Sequence, residues 1–184
     1  MKEYTEALRL LHDKGVDTPH YPKSVLEFLE SVLGHFSEVL ETGSGSSTIW
    51  LADHAFHIDS WEHDGIWAAV VRGSLLHRNK SNVTLHCEVN YSFGTFKKID
   101  KQYNVVLLDG CDFKNHRVAT MCAAPAYVLP GGYVLVDDAD RPAYHDGLEF
   151  LESLKWTEFS LTGDDPYGLH HVVGVFRRPE KQGE

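Results

Sequence analysis

Hydrophobic positions along the chain change repeatedly between helical spacing and short continuous runs. Residues 22–36, PKSVLEFLESVLGHF, place apolar side chains three and four positions apart, which predicts a helix. Residues 103–110, YNVVLLDG, hold four apolar residues in succession, which predicts a strand that is buried on both faces. Because the two signals alternate through most of the chain, they predict a parallel sheet with helices on both faces.

The remaining elements follow from the same signals. Further strands are predicted at 37–41, 55–64, 82–89 and 132–138, and further helices at 1–15, 46–54, 64–78, 113–129 and 144–156. Asp64 is the predicted N-cap of the helix that it begins. Two last strands surround a turn at 164–168, so the final strand should run antiparallel to its neighbour. The predicted fold class is α/β, a doubly wound, mostly parallel seven-stranded sheet with an antiparallel last strand.

Length and composition predict one globular domain. The chain has 184 residues, 42% of them hydrophobic, and a single domain is expected over 1–184. The formal net charge of −10 disfavours binding to nucleic acid and to anionic membranes. The three cysteines form no C-x-x-C motif and the start lacks the apolar core of a signal peptide, which indicates a cytoplasmic protein. Residues 1–22 are interpreted as an N-terminal helix or lid segment, and 179–184 as a disordered tail.

The stretch LETGSGSSTIW, residues 40–50, joins the first strand of the sheet to the next helix. In open parallel sheets, ligands bind outside the carboxyl ends of the strands, which is where this loop lies. Gly43 and Gly45 would allow positive φ angles and a close approach of the backbone to a ligand. A G-x-G sequence alone is weak support, since many turns between a strand and a helix need glycine for geometry only.

Two glutamates make a nucleoside cofactor the better interpretation. Glu41 ends the first strand and Glu62 ends the second, 62 − 41 = 21 positions later. A carboxylate in the place of Glu62 can accept hydrogen bonds from both hydroxyls of a ribose. Glu41 would repel a pyrophosphate but suit the ammonium group of a methionine moiety. Thr48 replaces the third glycine of a dinucleotide motif. These residues favour S-adenosylmethionine over NAD.

Four segments share their order and spacing with a known family: VLETGSGSSTIWLA, SWEHDGIWAAVV, YNVVLLDG and LPGGYVLVDDAD. With them the chain resembles the class I S-adenosylmethionine-dependent methyltransferases over nearly its whole length, although GSGSST departs from the commoner three-glycine form. The resemblance implies methyl transfer to a small-molecule acceptor, with oxygen as the favoured atom. It also implies a set of cofactor-binding residues, namely Glu41, Thr42, Gly43, Ser44, Gly45, Ser47, Thr48, Glu62, His63, Glu88 and Asp109.

Three aspartates should meet at the carboxyl edge of the sheet. Asp109 ends the strand at 103–110, and Asp137 and Asp138 end the next one. Hard oxygen ligands of this kind suit Mg²⁺. The arrangement resembles the metal-dependent O-methyltransferases, in which an ion binds two acceptor oxygens and lowers the pKa of a hydroxyl. Asp109 and Asp138 are therefore the candidate catalytic residues, and all three are candidate metal ligands. Ala139 stands where the catechol-type pattern has an asparagine, so the acids could instead only cap a loop and shape the cofactor pocket.

Other polar residues leave alternatives open. Strand alternation sends His170 and His171 to opposite faces, so one of them could serve as a general base, although ordinary sheet positions are favoured. Arg117 could contact an anionic acceptor or simply lie on the first turn of its helix.

The function and the means of closing the site also have alternatives. The rival functions are a nicotinamide-dependent oxidoreductase and a non-catalytic module that binds a nucleoside cofactor. Residues 1–22 with the loop at 89–102, or a second subunit in a homodimer, would form the lid over the acceptor.

Overall fold

The computed structural model describes residues 18–88, 99–110 and 116–180. The helix predicted at 1–15, most of the loop at 89–102 and the tail beyond residue 180 lie outside the described residues. Among the helices described, none combines the length and the apolar composition that a bilayer-spanning segment needs.

The strands of the described residues form one mixed sheet. They are β1 (Glu38–Thr42), β2 (His57–Glu62), β3 (Val83–Cys87), β4 (Tyr103–Leu108), β5 (Val128–Val136), β6 (Thr157–Asp164) and β7 (His170–Arg177). The strand order is β3-β2-β1-β4-β5-β7-β6. β1 to β5 are parallel, and β7 is antiparallel to both of its neighbours. The predicted seven-stranded sheet with an antiparallel last strand is confirmed.

Helices cover both faces of this sheet. They are α1 (Lys23–Val32), α2 (Ser46–His54), α3 (Gly65–His77), α4 (His116–Ala123) and α5 (His145–Ser153). The first three share a core cluster with Val105 and Leu107 of β4, and the last two share one with Val106 and Leu108. These four side chains are at most 1% exposed, which confirms that β4 is buried on both faces.

The helix predicted for 113–129 is wrong in its second half. α4 ends at Ala123, a 3₁₀ turn covers Ala124–Tyr127, and β5 begins at Val128. Pro125 explains the difference, because it lacks an amide hydrogen and its ring clashes with a carbonyl of the preceding turn. The apolar residues after it fit a buried strand as well as a helix.

The strand order reverses between β1 and β4, and this creates the crevice in which open α/β sheets bind ligands. Thr42 is in register with Leu108, and Leu108 is in register with Val136. The loops that follow β1, β4 and β5 therefore leave the sheet at one level, side by side.

Candidate active site

The loop after β1 packs directly on the end of β4. Gly43 has a φ of +85°, and a Cβ on it would lie 2.6 Å from the Cα of Gly110. The Thr42 hydroxyl donates to the carbonyl oxygen of Asp109 at 2.8 Å and ties the two strand ends together. Gly45 differs from the prediction, since its φ of −177° is extended and open to any residue. Of these two loop glycines, Gly43 alone needs to be glycine for steric reasons.

Glu41 lies beneath this loop and outside the wall of the cavity in front of it. Its buried carboxylate accepts hydrogen bonds from the hydroxyls of Ser47 at 2.6 Å, Thr48 at 2.5 Å and Ser60 at 2.6 Å. Burial raises its pKa to about 7, although the three hydroxyls act in the opposite direction. Oε1 keeps room for a further donor, but the carboxylate is fully buried behind the loop, so its position favours a role in shaping the loop. The contact of Glu41 with the ammonium of a cofactor stays a prediction.

Glu62 holds the loop from the end of β2. Its Oε2 accepts a hydrogen bond from the amide of Ser44 at 3.1 Å, and its Oε1 accepts from the amides of His63 and Asp64 at 2.8 Å each. A carboxylate can accept about four hydrogen bonds. Oε2 of Glu62 therefore retains capacity for a ligand hydroxyl, and His63 lies beside it.

A cavity of about 170 Å³ opens in front of the loop. Its wall is formed by His20, Tyr21, Gly43, Ser44, Gly45, Ser46, Ser47, Trp67 and Asp109. The indole nitrogen of Trp67 donates to the carbonyl of Ser44 at 2.7 Å, so the ring closes one side of the cavity. Most of the residues assigned to the cofactor from sequence thus border one space or lie directly behind it.

Tyr21 is a part of this wall that the sequence did not reveal. It is 2% exposed, and within the described part of the chain its hydroxyl has no hydrogen-bond partner. Burial, followed by the charges of Asp109 and Asp137, raises the pKa of this tyrosine well above its usual value. Tyr21 precedes α1, so only its place in the predicted lid segment hinted at the role.

The three aspartates leave adjacent strands, as predicted, but they do not form one group. Oδ1 of Asp109 accepts a hydrogen bond from the Gly110 amide and lies 3.4 Å from Nη2 of Arg117. Asp137 is buried, and this burial together with the charges of Asp109 and Asp138 raises its pKa to about 7. Asp109 faces the cavity, whereas Asp137 and Asp138 lie further towards β7.

Comparison with known proteins finds similarity in structure only. No protein-family model matches the chain, and no curated protein matches it. An O-methyltransferase from Bacillus cereus in complex with S-adenosylhomocysteine is 17% identical, with a TM-score of 0.70 over 97% of this chain and 91% of that chain. The O-methyltransferase TomG from Streptomyces achromogenes, involved in tomaymycin synthesis and in complex with S-adenosylmethionine, is 19% identical, with a TM-score of 0.69 over 97% and 90%.

An rRNA methylase from Streptococcus thermophilus is 11% identical, with a TM-score of 0.68 over 88% of this chain and 100% of that chain. These structural similarities agree with the strand order and with the antiparallel β7 in indicating one fold. The chain has the class I methyltransferase fold. The resemblance seen in the four sequence segments is thereby confirmed at the level of fold.

On the methyltransferase fold, Glu88 lies apart from the cavity by the glycine loop. Its amide donates to the carbonyl of Glu62 at 2.9 Å. Its side chain lines a second cavity, of about 310 Å³, together with Trp61 and Tyr103 on the sheet face that carries α4 and α5. The assignment of Glu88 to the cofactor stays a prediction.

Arg117 has a structural role at the ends of β4 and β5. Its guanidinium is buried and donates to the carbonyl oxygens of Gly110 at 2.9 Å, Leu108 at 3.1 Å and Asp137 at 3.2 Å. These bonds tie the ends of β4 and β5 together. The interpretation that Arg117 contacts an anionic acceptor is therefore without support.

His171 reaches the acidic edge from β7. The side chain of His171 is 11% exposed, and its Nδ1 lies 3.3 Å from Oδ1 of Asp137. His170 points the other way and pairs with Asp164 at 2.9 Å on the surface. The predicted division of the two histidines between faces is confirmed. Asp137, Asp138 and His171 each offer a ligand atom within 4.8 Å of the others, whereas Asp109 is outside this group.

Proposed function

We propose that this protein transfers the methyl group of S-adenosylmethionine to an oxygen atom of a small-molecule acceptor. The observation that carries the proposal is the position of Glu62, a buried carboxylate at the end of β2 that holds the Ser44 amide and keeps hydrogen-bonding capacity on Oε2. On a methyltransferase fold, this is the place where a ribose is bound. The cofactor complexes of the Bacillus and Streptomyces relatives support the proposal.

The loop residues would hold the cofactor in different ways. Gly43, Ser44, Gly45 and Ser47 border the cavity and offer backbone or hydroxyl groups to it. Thr48 and Glu41 hold the loop from behind, and Thr42 fixes it to β4. We assign His63 and, less directly, Glu88 to the adenine side, and Asp109 to the side of the methyl group.

Methyl transfer to oxygen places modest demands on the protein. The cofactor supplies a methyl group on a positively charged sulfur, and this carbon–sulfur bond breaks as the bond to the acceptor oxygen forms. The protein has to align the acceptor and take up the proton of its hydroxyl. Asp109 and Asp138, at the ends of adjacent strands, are the proposed catalytic residues.

A divalent ion is a further part of the proposal. The carboxylates of Asp137 and Asp138 offer the hard oxygen ligands that Mg²⁺ and similar ions take, and their atoms lie within 4.8 Å of one another. Such an ion would lower the pKa of an acceptor hydroxyl bound to it. The sequence also predicted Asp109 as a ligand of this ion. It stays a proposed ligand, and its side chain would have to move to reach the ion.

The net charge of the chain and the proposed lid limit the kind of acceptor. The net charge of −10 opposes the phosphate backbone of RNA, so we favour a small molecule even though the structural neighbours include rRNA methylases. Residues 1–22 with the loop at 89–102, or a second subunit, would close the acceptor side, and Tyr21 already lies on the cavity. The cysteine pattern supports a cytoplasmic location for the reaction.

The test is the release of S-adenosylhomocysteine in the presence of small acceptors with two neighbouring hydroxyls, such as catechols and sugars. We expect release that depends on the acceptor, that EDTA lowers, and that Asp138→Asn abolishes without weakening cofactor binding. Cofactor binding that survives while Asp109→Asn and Asp138→Asn change no measurable activity would instead indicate the non-catalytic module. Binding of NAD in preference to the adenosyl compounds would indicate the oxidoreductase.

A further inference from the structure

A histidine completes the acidic cluster at the edge of the sheet. Asp137 and Asp138 follow β5, and His171 lies on β7, its antiparallel neighbour. The amide of Ala139 donates to the carbonyl of Val172 at 2.8 Å and fixes the acidic loop beside β7. The sequence pattern that pointed to aspartates did not include this histidine as a ligand.

The spacing of the three side chains matches a coordination shell. Around a six-coordinate ion with bonds of about 2.1 Å, neighbouring ligand atoms lie about 3.0 Å apart and opposite ones about 4.2 Å apart. Oδ1 of Asp137 and Nδ1 of His171 are 3.3 Å apart, and the ligand atoms of the whole group lie within 4.8 Å. Small side-chain movements would therefore bring all three onto one ion.

Asp165 lies on the other side of the imidazole. Its side chain is fully buried, and its Oδ2 lies 3.6 Å from Nε2 of His171. Oδ1 of Asp165 accepts hydrogen bonds from the amides of Tyr167 and Leu169 at 2.8 Å each, which fixes the carboxylate. Metal-binding histidines usually give their second ring N–H to such a group. In this structure Nδ1 of His171 pairs with Oδ1 of Asp137 at 3.3 Å. An ion on Nδ1 would leave the Nε2 proton facing Asp165, and a small shift of the ring would turn that contact into a hydrogen bond.

Acidic side chains outnumber the arginines at this edge. Among the described residues, Arg141 pairs with Asp138 at 2.8 Å and Arg117 lies 3.4 Å from Asp109, while the salt-bridge partners of Asp137 and Asp165 are histidines. A divalent cation would balance the remaining negative charge.

A second, independent sign of a ligand comes from Tyr21. Tyr21 lines the cavity together with Asp109, and its buried hydroxyl has no hydrogen-bond partner in the described parts of the chain. The Tyr21 ring meets that of His171 edge-on, with centroids 6.5 Å apart. A water or an acceptor oxygen on a bound ion would give this hydroxyl the partner that residues 18–88, 99–110 and 116–180 do not supply.

We infer that Asp137, Asp138 and His171 bind a divalent transition-metal ion, with Asp165 orienting the imidazole. The inference deepens the proposed function and rests on it for its purpose, because the ion would stand beside the proposed cofactor cavity. Mg²⁺ and Ca²⁺ take oxygen ligands, whereas an imidazole nitrogen favours ions such as Mn²⁺, Fe²⁺ and Zn²⁺. We therefore expect Mn²⁺ to bind at least about tenfold more tightly than Mg²⁺.

The experiment measures how tightly the whole protein binds Mn²⁺. Calorimetry with Mg²⁺ in competition gives the affinities, and electron spin echo spectroscopy identifies the ligands of the bound Mn²⁺. In the wild type, the spin echo of bound Mn²⁺ should be modulated by one imidazole nitrogen. His171→Ala should lose this modulation and bind Mn²⁺ about 10–100-fold more weakly. His170→Ala is the matched control, since its side chain is exposed and faces away, and it should behave as the wild type.

Three results would overturn the inference: a folded wild type that binds no Mn²⁺, bound Mn²⁺ without nitrogen modulation, or equal Mn²⁺ affinity in His171→Ala. The wild-type spectrum needs no variant, so poor folding of His171→Ala cannot hide the answer. Binding of S-adenosylhomocysteine is measured on the same samples. If S-adenosylhomocysteine binds but Mn²⁺ does not, only the ion site is refuted. If S-adenosylhomocysteine does not bind, the proposed function is refuted, and the Mn²⁺ result then tests the ion site alone.

Discussion

Two buried tyrosines differ in what their hydroxyl groups contact. Tyr103 donates to Oδ2 of Asp59 at 3.0 Å, whereas the hydroxyl of Tyr21 has no partner in 18–88, 99–110 and 116–180. A buried hydroxyl without a partner costs about 1–3 kcal/mol. We expect Tyr21→Phe to raise the free energy of unfolding of the cofactor-free protein by about 1 kcal/mol, and Tyr103→Phe to lower it by a similar amount. Urea denaturation measures both, and effects of the same sign would contradict this account.

Glu41 should make stability depend on pH. Its pKa is about 7 in the folded protein and 4.5 ordinarily, so the folded state holds a proton that the unfolded chain releases between these values. This contribution is complete below the unfolded pKa and is lost as the pH rises through about 7, a loss on the order of 3 kcal/mol at most. Glu41→Gln stays neutral, so between about pH 5 and pH 8 it should lose less stability than the wild type.

Thermal unfolding across this pH range measures the effect. Asp137, whose pKa is also raised to about 7, acts in the same direction, so the slope should shrink in Glu41→Gln without vanishing. Glu149→Gln, at an exposed position of α5, serves as the control and should follow the wild type. If the stability of Glu41→Gln and that of the wild type changed equally with pH, Glu41 would not hold a proton in the folded state in this pH range.

At the scale of elements, the turn from β1 into α2 depends on one glycine. A Cβ at position 43 would meet the backbone of Gly110 at 2.6 Å with φ at +85°, whereas a Cβ at position 45 would meet nothing within 4 Å. Gly43→Ala should therefore destabilise the protein by about 2 kcal/mol or more and weaken S-adenosylhomocysteine binding. Gly45→Ala should change stability by less than about 0.5 kcal/mol. Chemical denaturation compares them, and equal losses would mean that the contact with β4 is unimportant.

Local patterns predicted some elements well and others poorly. β4 was predicted closely because its continuous apolar run has no helical alternative of sufficient length. Asp64 is confirmed as the N-cap of α3, with its carboxylate accepting from the amides of Ile66 and Trp67. The boundary between α4 and β5 was missed, since apolar residues around Pro125 satisfy both periodicities and only the pairing of β5 with β4 decides between them.

At the scale of the whole molecule, the strand order brings distant segments to one edge of the sheet. The placement of Asp109 and Asp137 at the same edge was predictable, because the carboxyl ends of neighbouring parallel strands share an edge. The arrival of His171 and Tyr21 was not, because one lies on the antiparallel β7 and the other precedes α1. Their placement depends on tertiary packing, which leaves no local pattern in the sequence.

The most direct test of the account is calorimetric titration with S-adenosylhomocysteine. The wild type should bind it in the micromolar range and should not bind NAD. Glu62→Gln should bind at least about tenfold more weakly, since the amide nitrogen cannot accept a hydrogen bond from a ribose hydroxyl, while Glu149→Gln should match the wild type. A folded wild-type protein that shows no binding of S-adenosylhomocysteine would contradict the central claim.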